Sequence, residues 1–117
     1  MMKALIVAAV LAVAVSVPAM AQTVGGNYTV KGTNPNGSPY GGTAVITPRG
    51  DGCRIAWDVG SQWKGLCMLN GDAFAASYTS GNSNGLLIYK LQGDGTLRGV
   101  WVLNDGGTGT ETLIPAK

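Results

Sequence analysis

Hydrophobic and polar residues alternate in short runs along most of the chain, and glycine-rich turns separate the runs. Such alternation is typical of β-strands with one buried and one exposed face. Beyond residue 21, no stretch keeps the 3.6-residue apolar period of an amphipathic helix. The pattern predicts eight consecutive strands: 26–33, 40–47, two within 53–67, 73–79, 85–91, one after Gly95, and 108–114.

The clearest hairpin runs from one cysteine of the chain to the other, with a predicted turn at Gly60-Ser61. Residues whose numbers sum to 120 then face each other, which pairs Cys53 with Cys67, Ile55 with Gly65, and Trp57 with Trp63. Directly opposed antiparallel residues are close enough for a cross-strand bond. We therefore predict a Cys53–Cys67 disulfide that serves as a structural clamp, because no Cys-x-x-Cys spacing or histidine indicates redox or metal chemistry.

A second hairpin can be registered through the loop Gly93-Asp94-Gly95, in which Gly95 takes the left-handed position. Numbers summing to 188 then pair Leu91 with Leu97, Tyr89 with Gly99, and Leu87 with Trp101. The opposite face pairs Lys90 with Arg98, and like charges in direct opposition are unfavourable unless water separates them. We predict that this second face is solvated.

Eight strands with short connections form an antiparallel meander, which can close into a small up-and-down, calycin-like barrel. Glycines inside strands favour the barrel, because sharply coiled strands need positions without a side chain; these are Gly42, Gly65, Gly99 and Gly109. A two-sheet β-sandwich is the alternative. The predicted fold class is therefore all-β, in one domain.

The first 21 residues have the features of a secretory signal peptide. Lys3 precedes an apolar run from 4 to 17, and small residues stand at Ala19 and Ala21. The run is shorter than the ~20 residues that span a bilayer. We predict cleavage after Ala21, a domain over 22–117, and a periplasmic or secreted location that permits the disulfide, with no membrane insertion after cleavage.

Charge and residue content argue against several function classes. The net charge is +2 from eight basic and six acidic residues, which are scattered, so nucleic acid is not an expected partner. The absence of histidine removes His-based triads and most zinc sites. Four aspartates adjoin glycines and fit turn chemistry: Asp51, Asp72, Asp94 and Asp105. Asp58 and Glu111 are placed on polar faces without a partner, so we expect no enzymatic activity, cofactor or metal.

Two features supply candidate binding residues. Arg49-Gly50-Asp51 spells the tripeptide that integrins recognise and falls at a predicted hairpin tip, although a turn explains it equally. The aromatic residues fit either core packing or an apolar pocket at one barrel mouth, and Trp63 lies near a hairpin tip. The candidate binding residues are Tyr40, Arg49, Asp51 and Trp63.

Four blocks of sequence, 26–43, 72–78, 95–101 and 107–111, together resemble a family. They are similar to small exported proteins of alpha-proteobacteria catalogued as fibronectin-binding or hypothetical exported proteins. The resemblance covers nearly the whole predicted domain and implies adhesion to extracellular matrix, but it brings no binding residues with it.

We therefore expect a monomeric exported binding protein with a protein partner, such as fibronectin by resemblance. One alternative is a barrel inhibitor of a protease or lysozyme, which predicts a projecting loop at 34–39 or 80–84. Another is a carrier of a small apolar ligand, which predicts a cavity of roughly 300 Å³ or more at one mouth.

Overall fold

A computed structural model describes residues 23–117, which form a closed antiparallel barrel. Its strands are β1 (Gly26–Thr33), β2 (Pro39–Arg49), β3 (Gly52–Asp58), β4 (Gln62–Asn70), β5 (Ala73–Ser80), β6 (Ser83–Leu91), β7 (Leu97–Leu103) and β8 (Thr108–Pro115). Each strand pairs with its sequence neighbours, and β1 also pairs with β8. The barrel is therefore confirmed over the sandwich. The predicted signal peptide, 1–21, lies outside the described residues, and within them no helix is long and apolar enough to cross a membrane.

Both predicted hairpin registers are confirmed. Cys53 pairs with Cys67 and Trp57 with Trp63, and a disulfide joins the two cysteines across a Cα–Cα distance of 4.9 Å. Leu91 pairs with Leu97, as the second register requires. Glycine permits the turns, because Gly60 and Gly95 have φ angles of 92° and 89°.

Two turns differ from the prediction. The polar loop expected at 80–84 is a two-residue turn at 81–82, because Ser80 pairs with Ser83 and the strands continue to that pair. The dipeptide Asn70-Gly71 predicts a tight hairpin turn at these two residues, but the turn is Gly71-Asp72, since Asn70 still pairs with Ala73. Glycine at the first turn position is typical of a type II′ hairpin.

The two ends of the barrel differ in their interiors. Connections 34–38, 59–61, 81–82 and 104–107 surround one end, here called the open end. Connections 50–51, 71–72 and 92–96 surround the other, here called the filled end. Toward the filled end the interior is solid with apolar side chains, and Phe74, Leu97 and Leu113 have no exposed surface. The barrel is thus a packed core at one end only.

Interior glycines allow the strands to coil around this core. A Cβ atom at Gly65 would collide with the backbone carbonyl of Ser77 in β5. A Cβ atom at Gly99 would collide in the same way with the carbonyl of Ile88 in β6. Glycine is therefore required at both positions by the close approach of the neighbouring strand, as expected for a small barrel.

The outer face of the barrel carries an exposed aliphatic patch, here called the outer patch. Its residues are 39–64% exposed and lie on β4, β6 and β7: Leu66, Met68, Leu86, Ile88, Val100 and Val102. Lys90 and Arg98 border it and are exposed, which confirms that this face of the β6–β7 hairpin is solvated.

Removal of the disulfide by the double variant Cys53→Ser, Cys67→Ser should lower stability strongly and leave the fold intact. Closing a loop of about 15 residues is worth roughly 3 kcal/mol in the chain-entropy model. For a domain of this size, that corresponds to a fall in Tm of roughly 10–20 °C. Thermal unfolding followed by circular dichroism measures the change. Reductant should bring the wild type to the Tm of the variant and leave the variant unchanged; a wild type insensitive to reductant contradicts the clamp.

Candidate functional site

A cavity of about 200 Å³ opens at the open end of the barrel. Five of its eleven lining residues are aromatic, and they include all three tryptophans of the chain. The aromatic residues that line it are Tyr40, Trp57, Trp63, Tyr78 and Trp101, and we call this set the aromatic wall. Strands β2, β3, β4, β5 and β7 each contribute one of these rings. The cavity is therefore a joint product of most of the barrel.

The rings of the aromatic wall contact each other at steep angles. Tyr78 lies between Trp57 and Trp63, with ring centroids 5.9 and 5.3 Å away and interplanar angles of 70° and 71°. Edge-to-face pairs of this kind add about 0.5–1.5 kcal/mol beyond burial. The polar tips are also held, since Trp63 Nε1 donates to Ser61 Oγ at 2.8 Å and Tyr78 Oη donates to the Val102 carbonyl at 2.7 Å. The wall is thus ordered by contacts within the protein.

The carboxyl group of Glu111 forms part of the lining and is only 4% exposed. Tyr40 Oη donates a hydrogen bond to its Oε1 at 2.7 Å. Trp57 Nε1 and Tyr89 Oη donate to its Oε2 at 2.9 and 2.5 Å. With three donors on two oxygens, Glu111 acts only as an acceptor, which is the role of the ionised carboxylate.

The prediction that Glu111 lies on a polar face without a partner is wrong. In β8, Glu111 shares the inward face with Gly109 and Leu113, and it pairs across the ladder with Gly99. The prediction was based on residue type alone, because burying an unpaired carboxylate costs free energy. The strand alternation, which places 109, 111 and 113 on one side, carried the signal that locates it inside.

The Glu111 carboxylate affects the tyrosines around it. Burial, and then the negative charge of Glu111, raise the pKa of Tyr40 and of Tyr89 well above the usual tyrosine value. Burial, followed by the charges of Glu111 and Asp105, raises the pKa of Tyr78 to about 12. All three hydroxyls therefore keep their protons at neutral pH, and those of Tyr40 and Tyr89 serve as donors to the carboxylate.

The structure divides the four candidate binding residues into two groups. Tyr40 and Trp63 lie in the aromatic wall of the cavity. Arg49 and Asp51 lie at the filled end, exposed at the connection between β2 and β3, where Gly50 has a φ angle of 60°. The tripeptide is thus at a hairpin tip, as predicted, but it is not part of the cavity.

Two of the four aspartates beside glycines accept hydrogen bonds from the backbone of their turns. The Thr96 amide donates to Asp94 Oδ1 at 2.9 Å and lowers the pKa of that carboxyl. The Gly107 amide donates to Asp105 Oδ1 at 2.8 Å. Within residues 23–117, no group of three or more histidine, cysteine, aspartate or glutamate side chains could hold a metal ion.

Comparison with known proteins supports the fold. No protein-family model and no curated protein matches the sequence. Among solved structures, the chain is similar to a redesigned β-barrel, b11L5F_LGL, with a TM-score of 0.74 and 19% identity over 80% of this chain and 92% of that one. It is also similar to the redesigned β-barrel mFAP1 bound to DFHBI, with a TM-score of 0.71 and 19% identity over 79% of this chain and 94% of that one. At this identity the likeness establishes the barrel fold alone.

The hydrogen bond to Glu111 can be tested with Tyr89→Phe, which removes one of the three donors. Hydrogen bonds to charged groups contribute about 1.5–3 kcal/mol, against about 1 kcal/mol for neutral pairs. Tyr28→Phe is the matched control, because the Tyr28 hydroxyl bonds only the backbone of Gly25. Urea unfolding should show a clearly larger loss for Tyr89→Phe. Equal losses would contradict an ionised carboxylate in the barrel.

Proposed function

We propose that this protein is an exported, non-enzymatic binding protein that takes its ligand in the cavity at the open end. The observation that carries the proposal is the contrast between the two ends of one barrel. The filled end is closed by apolar side chains, whereas the open end leaves about 200 Å³ between five aromatic rings. Concave, largely apolar sites with a few placed polar groups are the usual form of a ligand site.

The contacts that hold the aromatic wall in place support this proposal. The side chains of Trp57, Trp63 and Tyr78 are held by hydrogen bonds and ring contacts within the protein. A ligand that enters a pre-formed site does not have to order these groups, and each ordered side chain would otherwise cost about 0.5–1.5 kcal/mol of affinity. The wall is therefore suited to binding a small group without rearrangement.

Export and the absence of catalysis rest on sequence features. The N-terminal 21 residues have the pattern of a signal peptide, and the Cys53–Cys67 disulfide is consistent with an oxidising compartment. The chain has no histidine to act as a general base. Glu111 is fixed by tyrosine and tryptophan donors, which favours a binding role over proton transfer.

The dimensions of the barrel bear on the two alternative functions. The cavity is smaller than the roughly 300 Å³ expected for a carrier of drug-sized apolar ligands, so the proposed ligand is smaller than that class. Connections between the described strands have two to five residues, from 81–82 to 34–38. Neither segment proposed as the projecting loop of an inhibitor extends far from the barrel.

Titration of small organic compounds, cationic, uncharged and anionic, tests the site through tryptophan fluorescence. Tryptophan fluorescence reports on the cavity because all three tryptophans line it. We expect at least one class of compound to bind saturably. Trp63→Leu should weaken that binding about tenfold, which is ~1.4 kcal/mol. Arg49→Ala, at the filled end, is the matched control and should leave it unchanged. A set without any saturable compound, or equal affinity in Trp63→Leu, would refute the proposal.

A second candidate function is attachment to an extracellular-matrix protein such as fibronectin, which the family resemblance implies. The observation that favours it is the outer patch, since contiguous exposed apolar surface marks interaction sites. The basic residues Lys90 and Arg98 border the patch and would suit an acidic partner surface.

Surface plasmon resonance on immobilised fibronectin tests this second candidate. The double variant Leu86→Ser, Ile88→Ser should reduce binding at least about tenfold, because both side chains are more than half exposed and removal leaves the core untouched. Lys31→Ala, exposed on β1 and outside the outer patch, is the matched control and should bind like the wild type. No measurable binding of the wild type at micromolar concentration would eliminate this candidate.

A further inference from the structure

The carboxylate of Glu111 has no basic partner. The only ion pair within residues 23–117 joins Lys90 to Asp72 at 3.9 Å on the protein surface. The lining of the cavity contains no lysine or arginine. Neutral donors from Tyr40, Trp57 and Tyr89 solvate the charge, but they do not neutralise it. The cavity therefore has a net negative potential in surroundings of low dielectric constant, where a charge acts strongly.

Glu111 also keeps unused acceptor capacity. Each oxygen of a carboxylate can accept about two hydrogen bonds. Oε2 accepts two, from Trp57 and Tyr89, whereas Oε1 accepts only the one from Tyr40. The carboxylate can thus accept one further donor without giving up any of its present bonds.

The aromatic wall supplies a second attraction for positive charge. A cation within about 6 Å of the centroid of a tryptophan or tyrosine ring gains ~0.5–2 kcal/mol, and tryptophan is the most favourable ring. Three of the five rings of the wall are tryptophans. The three ring pairs in contact within the wall meet edge to face, with interplanar angles from 63° to 71°, so none of these pairs is stacked face to face.

The oxygen atoms available in the lining are too few to bind a metal ion. Calcium and magnesium require about six or more oxygen ligands. The lining has one carboxylate, two tyrosine hydroxyls and few other oxygens among its side chains. A methylated or alkylated ammonium is weakly hydrated at its carbon surface and therefore matches a wall that is aromatic with a single charge.

We propose that the ligand of the cavity is a small organic cation, an ammonium group bearing methyl or methylene carbons, held by the charge of Glu111 and by the aromatic wall. This inference rests on the proposed function, because it names the chemical class of the ligand at the same site. A cavity of about 200 Å³ accepts one such group. The group can belong to a free molecule or to a lysine side chain of another protein.

Three probes distinguish the ligand chemistry and its source by fluorescence titration of the purified protein. They are choline, the uncharged isostere of choline in which carbon replaces the nitrogen, and Nα-acetyl-lysine methylamide, which keeps the side-chain ammonium. Choline should saturate and bind at least about tenfold more tightly than its isostere. Tighter binding of the lysine derivative than of choline identifies a protein side chain as the source, and the reverse order identifies a free molecule. Equal affinities for choline and its isostere would overturn the inference.

Glu111→Gln separates the charge of this residue from its shape. An amide can keep all three bonds, with its oxygen accepting from Trp57 and Tyr89 while its nitrogen donates to Tyr40 Oη. The variant should lose about tenfold in affinity for choline and retain its affinity for the isostere. Asp51→Asn is the matched control, because it removes one negative charge at the filled end, outside the lining, and should change neither affinity.

Two further comparisons keep the test decisive. If Glu111→Gln fails to fold, Trp63→Leu replaces it, since Trp63 is only partly buried. The affinity of this variant for choline must then fall by a larger factor than its affinity for the isostere. If uncharged or anionic compounds saturate the cavity and choline does not, the inference fails while the proposed function stands. If no compound of any class saturates it, the proposed function fails as well.

Discussion

The burial of one carboxylate constrains the half of the barrel at the open end. Glu111 of β8 receives hydrogen bonds from β2, β3 and β6, through Tyr40, Trp57 and Tyr89. An ionised group inside a protein is tolerated only when its hydrogen bonds are made, because the cost of removing it from water is otherwise several kcal/mol. Those bonds exist together only when the barrel is closed in the correct register. The same interaction that makes the interior polar at this level therefore requires the strands to assemble around it, and it stops the apolar core from continuing to the open end.

The interior is consequently divided along the barrel axis. Between Glu111 and the filled end, fully buried side chains such as Phe74, Leu97 and Leu113 form the apolar core. Between Glu111 and the open end, the rings of the aromatic wall contact each other edge to face and leave a cavity between them. The disulfide lies toward the filled end, away from the cavity, which fits a structural role. Stability and ligand contact are thus assigned to opposite ends of one small fold.

The outside of the barrel is chemically distinct from the cavity. The outer patch on β4, β6 and β7 is aliphatic and bordered by Lys90 and Arg98, whereas the cavity is aromatic and contains a buried acid. Arg49-Gly50-Asp51 lies at the filled end, distant from the open end in the topology of the strands. The two proposed functions therefore rest on opposite faces of the strands. This separation follows from strand alternation, which sends successive side chains to opposite faces.

Local sequence determined the strands, most of the turns and two hairpin registers. Residues 53–67 and 87–101 could be paired because their partners are close along the chain and joined by glycine-containing turns. The in-strand glycines also indicated coiling, and hence a barrel. The site was found only in part, because the sequence indicated Tyr40 and Trp63 of its wall but not Glu111. Glu111 lies 71, 54 and 22 residues from the donors that bury it, so its surroundings depend on closure of β8 against β1 and on the coil of the whole sheet. Residue type alone predicted a solvated glutamate; the tertiary structure placed it inside, because three distant donors together replace the water that it loses.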